Sequence, residues 1–382
     1  MQQKTPKTKK VNVALQGGGA HGAFTWGVLD RLLEHDGLEV GAVTGASAGA
    51  INAVALADGL ADGCPHEARK RLRSFWEKII EIARTSPFKR TPFDAATGTW
   101  NLDQSPMYLW FDMLSRVISP YDLNPMNFNP LLETICELID FERVQKSPTQ
   151  AFIAATSVET GRSKVFKGPE LTAKHIMASA CLPFLYQAVE IDGTPYWDGG
   201  YMGNPPLWPL FDDAESDDVI IVQINPFKRE GSPKSARDIA NRLNEITFNA
   251  SLMRELRAVD FVSRLISDHR LDGTGYRNVH VHIVEDEPFM ETLGASSKLN
   301  TERAFITLLF DKGREAADRW LAENWDDVGV RSTMNLRDLF DSHDDALDGN
   351  RLSRLANFQQ DDIAEVGHAP GLRNGRDPND CS

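Results

Sequence analysis

The run at 40–57, VGAVTGASAGAINAVALA, narrows the choice of fold more than any other stretch of the chain. A short apolar segment passes into Gly45-Ala46-Ser47-Ala48-Gly49, and a small-residue helix pattern follows at once. Ser47 is therefore predicted at a strand-to-helix corner. Glycines two before and two after it let the backbone bend sharply without a Cβ clash. The hydroxyl would then stand over a helix N-terminus, where unpaired N–H groups and the positive dipole end favour developing negative charge. Two readings fit: a compact turn with a capping serine, or a serine nucleophile.

Upstream, 11–16 is a short apolar run bounded by glycines, as a buried first strand would be. Gln-Gly-Gly-Gly-Ala-His-Gly at 16–22 then opens a helix that places Phe24, Val28, Leu29, Leu32 and Leu33 on one face. Strand, glycine turn and helix thus occur twice by residue 57, which predicts an α/β fold with a mostly parallel sheet and right-handed crossovers. Ligand sites in such sheets lie beyond the C-terminal ends of the strands, where both glycine turns fall. Strands are expected again at 151–158, 188–191, 219–224 and 279–284, with helices at 172–180, 236–269 and 301–323. Between them, 64–145 reads as a helical, apolar insertion broken by proline. It carries Trp100, Met107, Tyr108, Trp110, Phe111, Met113, Tyr121, Met126 and Phe128. Such a segment suits a lid or acyl pocket, and equally a helical subdomain packing its own core.

Bulk properties remove other classes. With 41% hydrophobic and 25% charged residues among 382, the chain has globular composition. A net charge of -14 argues against nucleic acid and against broad adsorption to anionic membranes. Residues 1–10 run the other way, with Lys4, Lys7, Lys9 and Lys10, and read as a solvated basic leader, a weak surface anchor being the alternative. Cys64, Cys136, Cys181 and Cys381 show neither CxxC nor zinc-type spacing and suit a reducing compartment. No metal or cofactor is expected. VNVAL is too short for a signal-peptide core, and 48–61 is interrupted by Asn52 and Asp58, so no membrane helix and a cytoplasmic location are expected. From 331 to 382 the chain turns acidic and loses long periodic stretches, and its last fifteen residues are expected to be disordered.

Three pieces carry chemistry. Gly17, Gly18 and Gly19 precede a helix, and consecutive glycines can turn their amides inward to cradle an oxyanion. With Gly22 they also satisfy the dinucleotide fingerprint, but that fold wants an acid at the end of the second strand. Here that strand ends in Gly45 and Ser47, with Glu39 before it. Ser47 is the second piece. Asp198, in Tyr196-Trp197-Asp198-Gly199-Gly200, is the third; an apolar surround would raise its pKa and make it a better base. A Ser-His-Asp triad would need a histidine after the acid. His269, His280 and His282 are available, yet His280 and His282 alternate along an apolar strand and read as core or edge residues.

Taken together, GGGAHG at 17–22, GASAG at 45–49, ASACLP at 178–183 and Asp198-Gly199-Gly200 resemble the patatin-like phospholipase family. ATSVETGR and DVIIVQINP are similar as well, and the resemblance covers roughly 11–225. It implies a three-layer α/β/α catalytic domain over 11–225 that includes the 64–145 insertion. A C-terminal part at 226–330 would pack on it, with a partly disordered tail at 331–382. The segment SPYDLNPMNFNP and the long C-terminal helices are similar to a bacterial subgroup with its own extension. Position by position, the resemblance implies Ser47 as nucleophile and Asp198 as base. The amides of Gly17, Gly18 and Gly19 would form the oxyanion hole, with Gly22, Gly45, Gly49, Gly199 and Gly200 as supporting positions. His21 departs from the family, which often has Arg or Lys there; a neutral ring would weaken recognition of a phosphate headgroup and point to a neutral acyl ester.

The expected activity is hydrolysis of lipid acyl esters through an acyl-enzyme, with transient contact to a membrane surface. Acyl transfer through the same residues is one alternative, and a catalytically weak lipid- or partner-binding scaffold another. The sequence says nothing of lipid class or oligomeric state.

Overall fold

The computed structural model describes residues 8–340. Eight strands form one mixed sheet: β1 (Lys9–Leu15), β2 (Leu38–Gly45), β3 (Gln150–Ser157), β4 (Ser163–Lys167), β5 (Val189–Ile191), β6 (Thr194–Asp198), β7 (Asp218–Val222) and β8 (His280–Val284). The order is β5-β6-β3-β2-β1-β7-β8, with β4 also paired to β3. The β2–β1, β1–β7 and β7–β8 pairings are parallel, as is β2 with β3; the β3–β4, β3–β6 and β5–β6 pairings are antiparallel. From Val11 onward β1 is buried at every residue, and so are all of β7 and β3 after Gln150. Successive strand residues face opposite sides, so continuous burial means that both faces are covered, the three-layer arrangement expected of a largely parallel sheet.

The first strand starts earlier than expected. Lys9 and Lys10 pair with Leu38 and Glu39, so half of the basic leader's lysines belong to the sheet. Lys4 and Lys7, like Cys381 and most of the acidic tail, lie outside the described residues. Two short strands, β4 and β6, were not anticipated because five-residue runs with charges leave almost no periodicity to read.

Helix α1 (Gly22–Leu32) departs from its expected amphipathic form. Its residues are buried nearly all round, because α6 (Arg303–Asn324) covers the side that faces away from the sheet-facing row. Two mid-helix glycines make the approach possible. A Cβ at Gly27 would strike the Phe310 carbonyl, and one at Gly313 the Phe24 carbonyl. Helix α2 (Ala48–Leu60) is buried throughout and packs on α3 (Pro65–Ala83). Residues up to Met334 form one compact unit; of the second, which begins at Asn335, a short helix at Leu336–Phe340 is described. The 226–330 stretch contributes β8, α6 and the long helix α5 (Ala236–Ser267) to the first unit.

The insertion divides in two. Helix α3 buries Leu72, Phe75, Trp76 and Ile80, and Trp100 stacks on Phe305, so these belong to the core. Helices at Pro106–Ser115 and Pro120–Leu123, each opened by a proline suited to the first helical turn, leave Trp110, Met113 and Tyr121 exposed, along with Met126 and Phe128 just beyond them. Among the described residues no helix is long and apolar enough to cross a membrane.

Candidate active site

Ser47 sits at the β2-to-α2 corner with φ 54° and ψ −124°, a conformation that L-residues rarely adopt. Its neighbours must be glycine for steric reasons. A Cβ at Gly45 would lie 2.5 Å from the Gly49 carbonyl carbon, and one at Gly49 would strike the Leu15 carbonyl. The corner is thus pressed against the end of β1, and a Cβ at Gly17 would fall 2.7 Å from that of Ser47. The two glycine turns face each other, as their shared place beyond the strand ends requires.

Strand β3 brings the acid to the serine. Gly45 pairs with Ile153 and Asp198 with Ala155, two residues further along the same strand, a separation of about 7 Å. The ASACLP segment, recognised in the sequence only as a motif, fastens both residues. It begins near the end of α4 (Ala173–Ser179), where the Ser47 N–H donates to the Ser179 carbonyl (3.2 Å) and hydroxyl (3.0 Å); the Asp198 N–H donates to the Cys181 carbonyl (2.8 Å).

Asp198 is fully buried, and Ser47 is 8% exposed. One carboxylate oxygen, Oδ1, accepts the Gly200 amide at 2.7 Å, while Oδ2 has no partner with hydrogen-bond geometry. Burial raises the Asp198 pKa to about 6. The nearby Ser47 hydroxyl, the Gly200 amide and the charge of Lys298 oppose the rise without cancelling it. The serine hydroxyl is thus close enough to act on the carboxylate, but the two are not locked in a finished hydrogen bond. Gly200 is held to glycine by Phe248 and by Asp198 itself, whose Oδ1 a Cβ would approach to 3.0 Å.

The three-glycine turn narrows the expected donor set. The Gly17 amide donates to Asn204 Oδ1 at 2.6 Å, so it is not free for a ligand. Gly18 and Gly19 amides have no protein acceptor among the described residues. Buried carboxamides that the sequence reading passed over hold this loop. Asn225 Nδ2 donates to the Gly17 carbonyl (3.0 Å), and Gln16 Oε1 accepts the Ile224 and Asn225 amides, each at 2.9 Å. Gln16 also donates to Asn249 (3.1 Å). The signal for two of them was present in Asn204-Pro205 and Asn225-Pro226, where a turn-forming dipeptide follows a buried strand or precedes a helix.

Lys298, on the turn Ala295–Leu299, was missed altogether. Its ammonium reaches Asn225 Oδ1 and Asn244 Oδ1, both at 2.9 Å. His21 is buried beside it, with Nε2 bound to the Ser297 hydroxyl at 2.8 Å; burial and the Lys298 charge push its pKa down to about 3, so the ring is neutral.

The other histidines lie elsewhere. Asp218 and His280 pair at the opening ends of β7 and β8, away from the glycine turns. Asp218 Oδ1 meets His282 Nε2 at 3.0 Å and His280 Nδ1 at 3.3 Å. This knot holds strand starts together, and among the described residues no histidine is hydrogen-bonded to Ser47 in the place of a triad base. Among the described residues no group of three or more His, Cys, Asp or Glu is arranged to hold a metal ion. The thiols of Cys64, Cys136 and Cys181 are unpaired.

Of the exposed apolar segments, the helix Pro120–Leu123 and its C-cap Asn124 are tied to the loop that follows ASACLP. The Ala188 amide donates to the Tyr121 hydroxyl (3.2 Å), and Gln187 Nε2 to the Asn124 carbonyl (2.9 Å).

Comparison with known proteins places this arrangement. The chain is similar to an uncharacterized protein, R571, of Acanthamoeba polyphaga mimivirus, 24% identical over 307 residues that cover 76% of this chain and 90% of that protein. Among solved structures, VipD from Legionella pneumophila is 14% identical with a TM-score of 0.31, covering 81% of this chain and 67% of that one. ExoU, solved as a heterodimer with SpcU from the type III secretion system of Pseudomonas aeruginosa, is 14% identical with a TM-score of 0.35. That match covers 94% of this chain but 63% of the other. The family model for patatin-like phospholipases matches residues 13–211, a span that holds both glycine turns, Ser47, ASACLP and Asp198, and the chain belongs to the patatin-like phospholipase family, a family of lipid hydrolases.

Proposed function

We propose that this protein hydrolyses acyl esters of lipids, with Ser47 as nucleophile and Asp198 as its base. The observation that carries the reading is the state of Asp198: a buried carboxylate with a pKa near 6 and one unpartnered oxygen, next to a hydroxyl on a strained turn. Near neutral pH the carboxylate is charged, yet it is basic enough to take a proton.

In the first step Ser47 Oγ attacks the acyl carbonyl carbon while Asp198 accepts the hydroxyl proton. The carbonyl electron pair moves onto oxygen, where the Gly18 and Gly19 amides stabilise it. Collapse breaks the ester C–O bond, and the departing alcohol takes the proton from Asp198. Water then attacks the acyl-enzyme, gives a proton to Asp198, and the second intermediate collapses to fatty acid and Ser47, which regains that proton. Gly17 serves this scheme through its packing and its bond to Asn204. The exposed Trp110, Met113, Met126 and Phe128 suit contact with a lipid surface beside the entrance. Free thiols fit a reducing compartment, and a cytoplasmic location is part of the proposal.

Fluorophosphonate labelling tests it. Ser47 should carry the label, Ser47→Ala should abolish both labelling and p-nitrophenyl ester turnover, and a label on another serine would overturn the assignment. Adding lysolipid as acceptor and analysing the products separates hydrolysis from acyl transfer; lipid binding without turnover would instead mark a scaffold.

A further inference from the structure

Lys298 lies outside the span that the family model matches, yet it is built into the site from two sides. Its carbonyl packs against Gly19, where a Cβ would collide with that oxygen. Its ammonium donates to Asn225 Oδ1 and Asn244 Oδ1, each at 2.9 Å. Asn225 turns its Nδ2 to the Gly17 carbonyl at 3.0 Å and to Gln16 Oε1 at 3.2 Å, so the lysine and the glycine turn share one carboxamide. On the other side the nitrogen lies 5.1 Å from the Phe248 ring. That ring packs against Gly200, whose amide binds Asp198 Oδ1. The cavity beside the ammonium measures about 10 Å³, room for at most one water, so its charge acts on groups already in the protein. Two acids feel that charge. Glu245 is held by Arg229 at 2.6 Å and by Arg242 at 3.3 Å, which leaves Asp198 as the acid that Lys298 balances.

We propose that Lys298 is a positioning residue for the Ser47–Asp198 site: it braces the Gly17–Gly19 turn through Asn225, and its charge favours the ionised Asp198 on which attack depends. The inference rests on the Ser47 hydrolase reading. In that reading the site carries one negative charge throughout the cycle, on the carboxylate before attack and on the acyl oxygen after it. A fixed cation lowers the energy of both forms. Its main effect is therefore on the fraction of enzyme that is ionised at a given pH, not on the chemical step itself. The 226–330 part thus contributes to the site through Lys298, although neither reacting side chain lies in it.

The groups facing the ammonium are His21 at the start of α1, Asp198 at the end of β6, Arg229 on the loop after β7, and Glu245 on α5. Burial lowers the Lys298 pKa to about 8; Glu245 and Asp198 raise it, and Arg229 lowers it further. The ammonium is therefore charged where Asp198 titrates, near pH 6. Burial pushes the pKa values of Cys181 and Tyr201, which also face Asp198, up to about 12, so both stay neutral there, as does His21 beside Lys298.

The test is the pH profile of kcat/KM on p-nitrophenyl butyrate, each profile normalised to its own plateau. In Lys298→Met the acid limb should move from near pH 6 to near pH 7, about the smallest effect expected when a neighbouring opposite charge is lost. The normalised rate should thus lie about fivefold below that of the unaltered protein at about pH 6 and match it within about twofold at about pH 8.5. Lys298→Gln offers two N–H donors without the charge, so it should show the same displaced limb with a smaller loss of plateau rate. Asn225→Ala keeps the ammonium but cuts its tie to Gly17; plateau kcat should fall about 10-fold with the limb still near pH 6. A uniform loss in the Lys298 variants with an unmoved limb would make the lysine a packing residue and overturn the proposal. So would an Asn225→Ala limb displaced as far as theirs. A second measurement needs no turnover. At about pH 7 the stability gained on Asp198→Asn, read from urea unfolding, should be larger in the Lys298→Met background than in the unaltered protein, and equal gains would again overturn the proposal. The hydrolase reading fails by a different result: ester turnover that survives Ser47→Ala, or a fluorophosphonate label elsewhere.

Discussion

Asp30, Asp58 and Asp198 are all carboxylates removed from water, but they are treated in opposite ways. Asp30 on α1 receives Arg69 at 2.9 Å and 3.2 Å, and Arg314 of α6 as well. Asp58 on α2 receives Arg143 at 2.9 Å, Arg71 at 3.4 Å and the Asp140 amide at 3.2 Å. Both tie helices of the outer layer together with every oxygen satisfied. Asp198 has one backbone amide and a bare oxygen, and the one cation whose field reaches it is directed at asparagines. A fold able to saturate two buried acids has left a third unsaturated, and that acid sits beside the strained serine. The difference teaches that burial marks neither structure nor chemistry; the completeness of the partner set does.

Replacing each kind of acid should break the comparison if it is wrong. Asp198→Asn should lower kcat on a neutral ester by roughly 10³- to 10⁴-fold, the loss of a general base. In the unaltered protein kcat/KM should rise as the pH passes about 6 and then level, since the deprotonated carboxylate is the active form. The same substitution should stabilise the fold. The folded-state pKa lies above the ordinary aspartate value of 3.8, so folding favours the protonated acid, and the charge costs stability progressively as the pH rises from about 4 through 6. The gain should be about 2–3 kcal/mol at pH 8 and absent at pH 4, read from urea unfolding at each pH. Asp58→Ala should do the reverse. Leaving Arg143 and Arg71 without their shared acid should cost about 3 kcal/mol, while neutral-ester kcat/KM stays within about twofold. A destabilised Asp198→Asn, or an Asp58→Ala that loses activity but not stability, would erase the distinction.

The sheet and the approach of Ser47 to Asp198 were legible because glycine spacing and apolar runs are local signals. GASAG announces a corner whichever protein contains it, and β1, β2, β3 and β7 each contain a short apolar run. What surrounds these two residues was not legible, since it depends on contacts between residues far apart in the chain. Asn204, Asn225 and Asn249 look like ordinary turn or helix asparagines until the fold brings them to Gln16 and Gly17. Lys298 stands in an unremarkable Ser-Ser-Lys-Leu stretch and gains meaning only from its approach to Gly19. The Gly17 amide was assigned as a donor from loop pattern alone, which cannot tell that another side chain already claims it. Similarly, the amphipathic reading of α1 was sound for one face. Gly27 and Gly313 were the clue that a second helix would lie across the other.

The smallest effect isolates the backbone half of the contrast. Ser47→Gly and Ser47→Ala both remove the hydroxyl and both should abolish turnover, but only glycine is at ease at φ 54° and ψ −124°. Strain of this kind costs about 1–3 kcal/mol in the folded state, and glycine gives back part of the relief through the extra freedom of its unfolded chain. Ser47→Gly should therefore exceed Ser47→Ala in stability by about 1 kcal/mol, seen as a shift in urea midpoint with an unchanged slope. Alanine keeps the Cβ and so keeps the strain, which makes it the proper reference rather than serine. A glycine variant no more stable than the alanine one would mean that the corner is held without cost. The liability of the site would then reside in Asp198 alone, and the pairing of a strained serine with an unsatisfied carboxylate would cease to be a shared signature.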